Sequence, residues 1–177
     1  MASSLKNLSD YKETALNVDG AKVGILISEW NDGITNAMAQ GAIDIMIEKG
    51  IKEDDIYVRY VPGTFELAYA AQQMSQYKPV NAVICVGCVI QGETRHFDFI
   101  SQASANAIAD VAINNDIPVI FGVLTTDNLQ QAQDRAGGKH GNKGIEAGIT
   151  ALKMISMERD MQNEFDDEDW SDFYIEE

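Results

Sequence analysis

His96, one of only two histidines in the chain, closes the stretch Gly92-Glu93-Thr94-Arg95-His96, where an apolar run gives way to a helical pattern. A glycine turn that opens into a helix presents backbone N–H groups with no intrahelical partner, and such a group of donors suits an anion, a phosphate above all. An imidazole, with an ordinary pKa of about 6.5, carries protons at neutral pH. Placed beside a candidate anion site, it is a stronger candidate for proton transfer than a lone histidine elsewhere. The same residues also fit a plainer arrangement in which Thr94 caps the helix, Gly92 relieves a tight turn and His96 bonds locally. Spacing alone leaves both open.

Three further groups of residues have chemical potential. Cys85-x-x-Cys88 has the spacing of a redox pair or half a metal site, but Cys85 falls inside an apolar run, and only His96 and His140 remain as further zinc ligands. Two buried thiols are the simpler expectation, and no metal is expected. Arg135, Lys139, His140 and Lys143 gather within nine residues of an otherwise acidic chain. They can meet a phosphate, or they can be the cations that a helix C-terminus favours. Trp30, flanked by Glu29, Asn31 and Asp32, reads as an aromatic face on an exposed loop.

These residues sit at junctions between regular elements. Lys22–Ser28, Asp55–Val61, Ala82–Gly87 and Pro118–Leu124 are short, mostly continuous apolar runs, the pattern of parallel strands buried on both faces. Helical patterns fall between them: one with a stripe of Ile34, Met38, Ala42, Ile45 and Met46, then Phe65–Tyr77, then the alanine-rich Phe97–Asn115. Asn128–Ala136 and Ile145–Met157 follow, split by the glycine-rich GGKHGNKG. Four strand–helix units in succession imply an α/β fold: a three-layer α/β/α sandwich around a central four-stranded parallel sheet. Ligands of such sheets bind beyond the carboxyl ends of the strands. The junctions found there read EWNDGIT, PGTFEL, CVIQGETRH and TTDN.

Composition bounds the function. The 177 residues are 45% hydrophobic and 23% charged, enough for one domain with a sizeable core. Net charge is −15; residues 158–177 hold ten acids against Arg159 alone, a net −9, which leaves −6 for the rest. That balance argues against nucleic acid or an anionic membrane as partner. With neither a leader-like N-terminus nor an apolar run of membrane-spanning length, a cytoplasmic chain is expected.

Taken together, VPGTFEL, GCVIQGETRHFDFI, FGVLTTDN and DRAGGKHGNKGIEA, with EWN after the first strand, resemble the motif set of the lumazine synthase family, in order and over about Val23–Met157. The resemblance implies a flavodoxin-like fold and a domain over 21–160, with 1–20 as an N-terminal extension and 161–177 as an acidic tail outside it. The tail's composition fits either disorder or docking on a partner.

It also implies an activity: the condensation of 5-amino-6-(D-ribitylamino)uracil with 3,4-dihydroxy-2-butanone 4-phosphate to 6,7-dimethyl-8-ribityllumazine, phosphate and water. This is the penultimate step of riboflavin biosynthesis, and it needs no cofactor. By match to the family motifs, Trp30 stacks on the pyrimidine, Asn31, Gly63, Thr64, Phe65 and Glu66 hold the ring and ribityl chain, and Val89 and Ile90 line the pocket. Gly92, Glu93 and Thr94 match the phosphate loop, Arg135 the phosphate-binding arginine and His96 the proton carrier. Phe121, Arg135 and Lys143 match positions contributed by an adjacent subunit, so the resemblance implies a homo-oligomer, a pentamer or a sixty-subunit capsid, with riboflavin synthase as a further partner. The chain departs from the family at Glu29, where many members carry arginine. Two other classes of function stay open at this level: a protein that binds such a ligand without turnover, and a shell-forming structural protein.

Overall fold

The computed structural model describes residues 15–167. Four strands, β1 (Val23–Ser28), β2 (Ile56–Val61), β3 (Ala82–Ile90) and β4 (Val119–Thr126), form one sheet in the order β2-β1-β3-β4. Every pairing is parallel, with Val23 opposite both Ile56 and Ala82, and Val83 opposite Val119. The two central strands, β1 and β3, account for the continuous apolar runs: all of β1 and all of β3 up to Cys88 are buried. Helices cover both faces, as the sequence led us to expect.

Strand periodicity sorts the core into two halves. Val23, Ile25, Ile27, Ile84, Val86 and Cys88 point to one face, where they meet Met38, Ala42 and Met46 of α1 (Asp32–Glu48) and Leu152 and Ile155 of α5 (Lys143–Asp167). Leu26, Val83, Cys85 and Val123 point to the other, against Leu67, Ala71 and Met74 of α2 (Leu67–Tyr77) and Ile108 and Val111 of α3 (His96–Asn114). On this second face an amide pair joins the helices: Gln72 Nε2 donates to Asn115 Oδ1 at 3.1 Å, and Asn115 Nδ2 returns to Gln72 Oε1 at 2.7 Å.

Three boundaries differ from the sequence reading. β3 does not end at Gly87 but continues to Ile90, because β4, itself extended to Thr126, supplies partners for Gly87, Cys88, Val89 and Ile90. A glycine that reads as a stop is carried through by pairing with its neighbour. The GGKHGNKG segment is a small antiparallel hairpin, β5 (Ala136–Gly138) with β6 (Gly141–Asn142), following the short α4 (Leu129–Asp134). It is fastened to α1 by Asn142 Nδ2, which donates to Ala37 O at 3.0 Å. Finally, α5 runs past Met157 to Asp167, through the start of the acidic tail, and residues 168–177 lie outside the described part.

The N-terminal extension is likewise described only from residue 15. There Asn17 N–H donates to Ser156 Oγ at 2.9 Å and Arg159 Nη1 to Asp19 O at 2.9 Å, pinning the chain to α5 before β1 begins.

Candidate active site

The chain runs outward from β1 to β2 on one side and from β3 to β4 on the other. The sheet therefore has its switch point between β1 and β3, where a crevice opens at the carboxyl edge. Beyond β1, Glu29 N–H donates to Val61 O at 2.8 Å and Trp30 N–H to Pro62 O at 3.2 Å, so the exits of β1 and β2 travel together. Asn31 then turns with φ 61° into α1, a left-handed conformation that asparagine tolerates better than most residues. Its Nδ2 donates to Cys88 O at 2.9 Å, bridging the crevice to β3.

Gly63 opens the turn after β2. A Cβ at this position would stand 3.0 Å from Glu66 Oε2 and 3.4 Å from Trp30 Cδ1, so its absence lets the indole and the carboxylate converge over the backbone. Trp30 is 73% exposed and Phe65 56%, large apolar surfaces left open to solvent on either side of this turn. Between them lies a cavity of about 620 Å³ lined by Trp30, Asn31, the turn Gly63–Glu66, Cys88, Val89, Ile90, His96 and Ile100. A flat aromatic face, an apolar floor and a few polar groups suit a planar polar ring.

Most residues singled out from the sequence thus meet in one place, with His96 at the rim on the first turn of α3. Gly92, Glu93 and Thr94 do not line the cavity. They form the exposed loop just before that helix, anchored where Gln91 N–H donates to Thr126 O at 2.8 Å. Thr94 Oγ1 accepts from His96 N–H at 3.4 Å, a long local bond from outside the helix rather than a cap at its N-cap residue, Arg95.

Phe121, Arg135 and Lys143 lie elsewhere. Phe121 and Lys143 line a second cavity of about 420 Å³, with Ala147, Thr150 and Met154, beside the edge strand β4. Arg135 Nη2 lies 3.5 Å from Glu146 Oε1, and Lys143 Nζ 3.1 Å from Glu146 Oε2. One buried carboxylate therefore orients both cations. Glu146 was missed in the sequence, although its spacing of three from Lys143 within a helix is the signal for such a pair. Ile100, four residues after His96 on α3, was legible by the same rule.

The thiols are separated by the sheet itself. Cys85 faces α2 and α3 while Cys88 faces α1 and α5, so the CxxC spacing within a strand puts them on opposite sides. Burial pushes Cys85 up to about 12 and Cys88 up to about 11. Neither is a nucleophile at neutral pH. Among the described residues no cluster of three or more His, Cys, Asp or Glu side chains is arranged to hold a metal ion, and no helix is long and apolar enough to cross a membrane.

An aromatic face, a carboxylate and an imidazole around a crevice at the switch point of a parallel sheet make an α/β site shaped for a small polar molecule. A family profile described as 6,7-dimethyl-8-ribityllumazine synthase matches residues 20–159. The chain is 54% identical over 156 residues to the 6,7-dimethyl-8-ribityllumazine synthase of Cytophaga hutchinsonii, covering 88% of this chain and 98% of that one. It is 49% identical to the enzyme of the same description from Porphyromonas gingivalis, covering 90% and 99%, and 44% identical to that of Phocaeicola vulgatus, covering 92% and 97%. The chain belongs to the 6,7-dimethyl-8-ribityllumazine synthase family and is an enzyme of riboflavin biosynthesis.

Proposed function

We propose that the chain condenses 5-amino-6-(D-ribitylamino)uracil with 3,4-dihydroxy-2-butanone 4-phosphate, releasing phosphate and water and forming 6,7-dimethyl-8-ribityllumazine. The observation that carries this reading is the single cavity that gathers Trp30, Asn31, the Gly63–Glu66 turn and His96, with an exposed glycine loop at its edge. In this reading the pyrimidine stacks on Trp30, and Asn31, Gly63, Thr64, Phe65 and Glu66 hold the ring and ribityl chain between Val89 and Ile90. The phosphate is received by Gly92, Glu93 and Thr94.

The chemistry asks for orientation and proton transfer rather than covalent help from the protein. The 5-amino group attacks the ketone and loses water to an imine; a proton then leaves the neighbouring hydroxyl-bearing carbon as phosphate leaves the terminal carbon, the resulting enol tautomerises to a new ketone, and the ribityl-bearing nitrogen closes the ring on that ketone with loss of a second water. Holding both reactants in register makes the joining step effectively intramolecular. His96, at the cavity rim beside the loop, shuttles protons to the departing oxygens.

The site is completed by a neighbouring copy. The separation of Phe121, Arg135 and Lys143 from the cavity within one chain supports this reading, since they stand beside an edge strand where another subunit can approach. A closed ring completes every site, and we take it as a pentamer able to build a sixty-subunit capsid in the cytoplasm, with riboflavin synthase as a partner. The domain is 21–160. The acidic tail, outside it, opposes capsid closure by like-charge repulsion at low salt.

Incubating the purified chain with both substrates and following lumazine absorbance together with phosphate release tests the reaction. Stoichiometric appearance of both products is expected. Tight binding of the pyrimidine without either product would leave a binding protein in place of an enzyme.

A further inference from the structure

Gly87 lies within β3, fully buried and two residues before Val89, on the face that carries Val83 and Cys85 toward α2 and α3. A Cβ built there would stand 2.7 Å from Thr64 Oγ1, 3.0 Å from Thr64 Cγ2 and 3.0 Å from Leu67 Cδ1. The space that a side chain would fill is already taken by Thr64. Thr64 is 5% exposed, and its hydroxyl is buried without a hydrogen-bond partner. That oxygen is closed off from solvent and is the atom nearest to where a side chain at position 87 would begin. From the other side Ser104 Oγ of α3 donates to Thr64 O at 3.4 Å. Thr64 is therefore seated between β3 and α3, and its neighbours Gly63, Phe65 and Glu66 form the wall facing Trp30.

The geometry points to Gly87 as a positioning residue for the candidate site: the missing side chain is a notch that seats Thr64, and the seating sets the Gly63–Glu66 turn against Trp30 and Val89, fixing the space offered to the pyrimidine. This rests on the proposed reaction for the identity of the ligand. Thr64 acts here through the backbone position it fixes. A methyl group at position 87 displaces the turn, whereas shortening Thr64 at the same time removes both atoms of the clash and leaves only the flexible end of Leu67 to adjust.

The test is a double-mutant cycle on the full chain with wild type, Gly87→Ala, Thr64→Ala and the double variant. Gly87→Ala is expected to raise KM for the pyrimidine by about 10- to 100-fold with KM for the butanone phosphate little changed, a displacement on the order of 1 Å being enough for such losses. Thr64→Ala alone weakens the site less. The double variant is expected to regain about tenfold or more over Gly87→Ala, and to melt at a higher temperature than it. A double variant no better than Gly87→Ala in either readout overturns the notch. So does a loss in Gly87→Ala that falls equally on both substrates. If Gly87→Ala does not fold, a double variant that does is itself the coupling, and failure of both overturns it. Calorimetric titration with the pyrimidine alone separates the two levels. A wild type that binds it but forms no lumazine overturns the proposed reaction, and the same cycle in Kd then decides on Gly87; a wild type that does not bind it overturns both.

Discussion

The side-chain amide of Asn31 donates to the carbonyl of Cys88 at 2.9 Å, joining the loop after β1 to β3 directly across the switch point of the sheet. The bond holds Asn31 in its left-handed conformation and so fixes where Trp30, one residue earlier, presents its ring. Asn31→Ala loses the bond and places a less tolerant residue at positive φ, each costing on the order of 1 kcal/mol. Asn31→Gly loses the bond alone. The expected order of urea midpoints is wild type, then Asn31→Gly, then Asn31→Ala, with about 2 kcal/mol between the first and the last if both terms add.

Glu146 sets the second group of residues. Its carboxylate is 11% exposed and accepts from Lys143 at 3.1 Å and Arg135 at 3.5 Å. Glu146→Gln removes the charge that holds the two cations in one orientation while keeping the side chain's size. KM for the butanone phosphate is expected to rise about fivefold or more, with KM for the pyrimidine nearly unchanged, since charge-assisted contacts of this kind position a phosphate. Steady-state kinetics with each substrate varied in turn reads the split.

The buried thiols predict a pH dependence. Their folded pKa values, about 12 for Cys85 and about 11 for Cys88, lie above the value of 9.0 that serves as their reference. Below pH 9 both states keep the proton, and the contribution is constant. Above it the unfolded chain releases protons that the folded chain retains, so stability falls as pH rises from 9 toward 11–12. Denaturant midpoints across that range should decline, and less steeply in Cys85→Ala. At pH 8 a thiol reagent should leave both cysteines of the native chain unmodified and label both in denaturant.

What the sequence made legible follows from locality. The apolar runs of the two central strands are buried on both faces, so continuous hydrophobicity alone identified β1 and β3, and the junctions after the strands pointed to Trp30, Gly63 and His96, with Asn31 and Thr64–Glu66 added by the resemblance to the family motifs. What remained hidden depends on partners distant in the chain. Gly87 reads as a stop until β4 is seen to pair with it; the hairpin of the GGKHGNKG segment is fastened to α1 through its own Asn142; Glu146 shows its role only when Arg135 and Lys143 converge on it. Among the described residues Glu29 is bonded only through its backbone, to Val61 O, and nothing there explains the choice of a carboxylate at this position.

In the proposed assembly a cavity in one chain, holding His96, is completed by Arg135 of its neighbour. Two inactive variants test it together: His96→Ala and Arg135→Ala are each expected to form lumazine at a rate lower by about 10²-fold or more. When equal amounts are unfolded, mixed and refolded into rings, about one site in four pairs an intact His96 with an intact Arg135 by random assembly. Lumazine formation is expected to recover to about a quarter of the wild-type rate, and only after mixing during refolding. A mixture that stays as inactive as its two components would contradict the shared site.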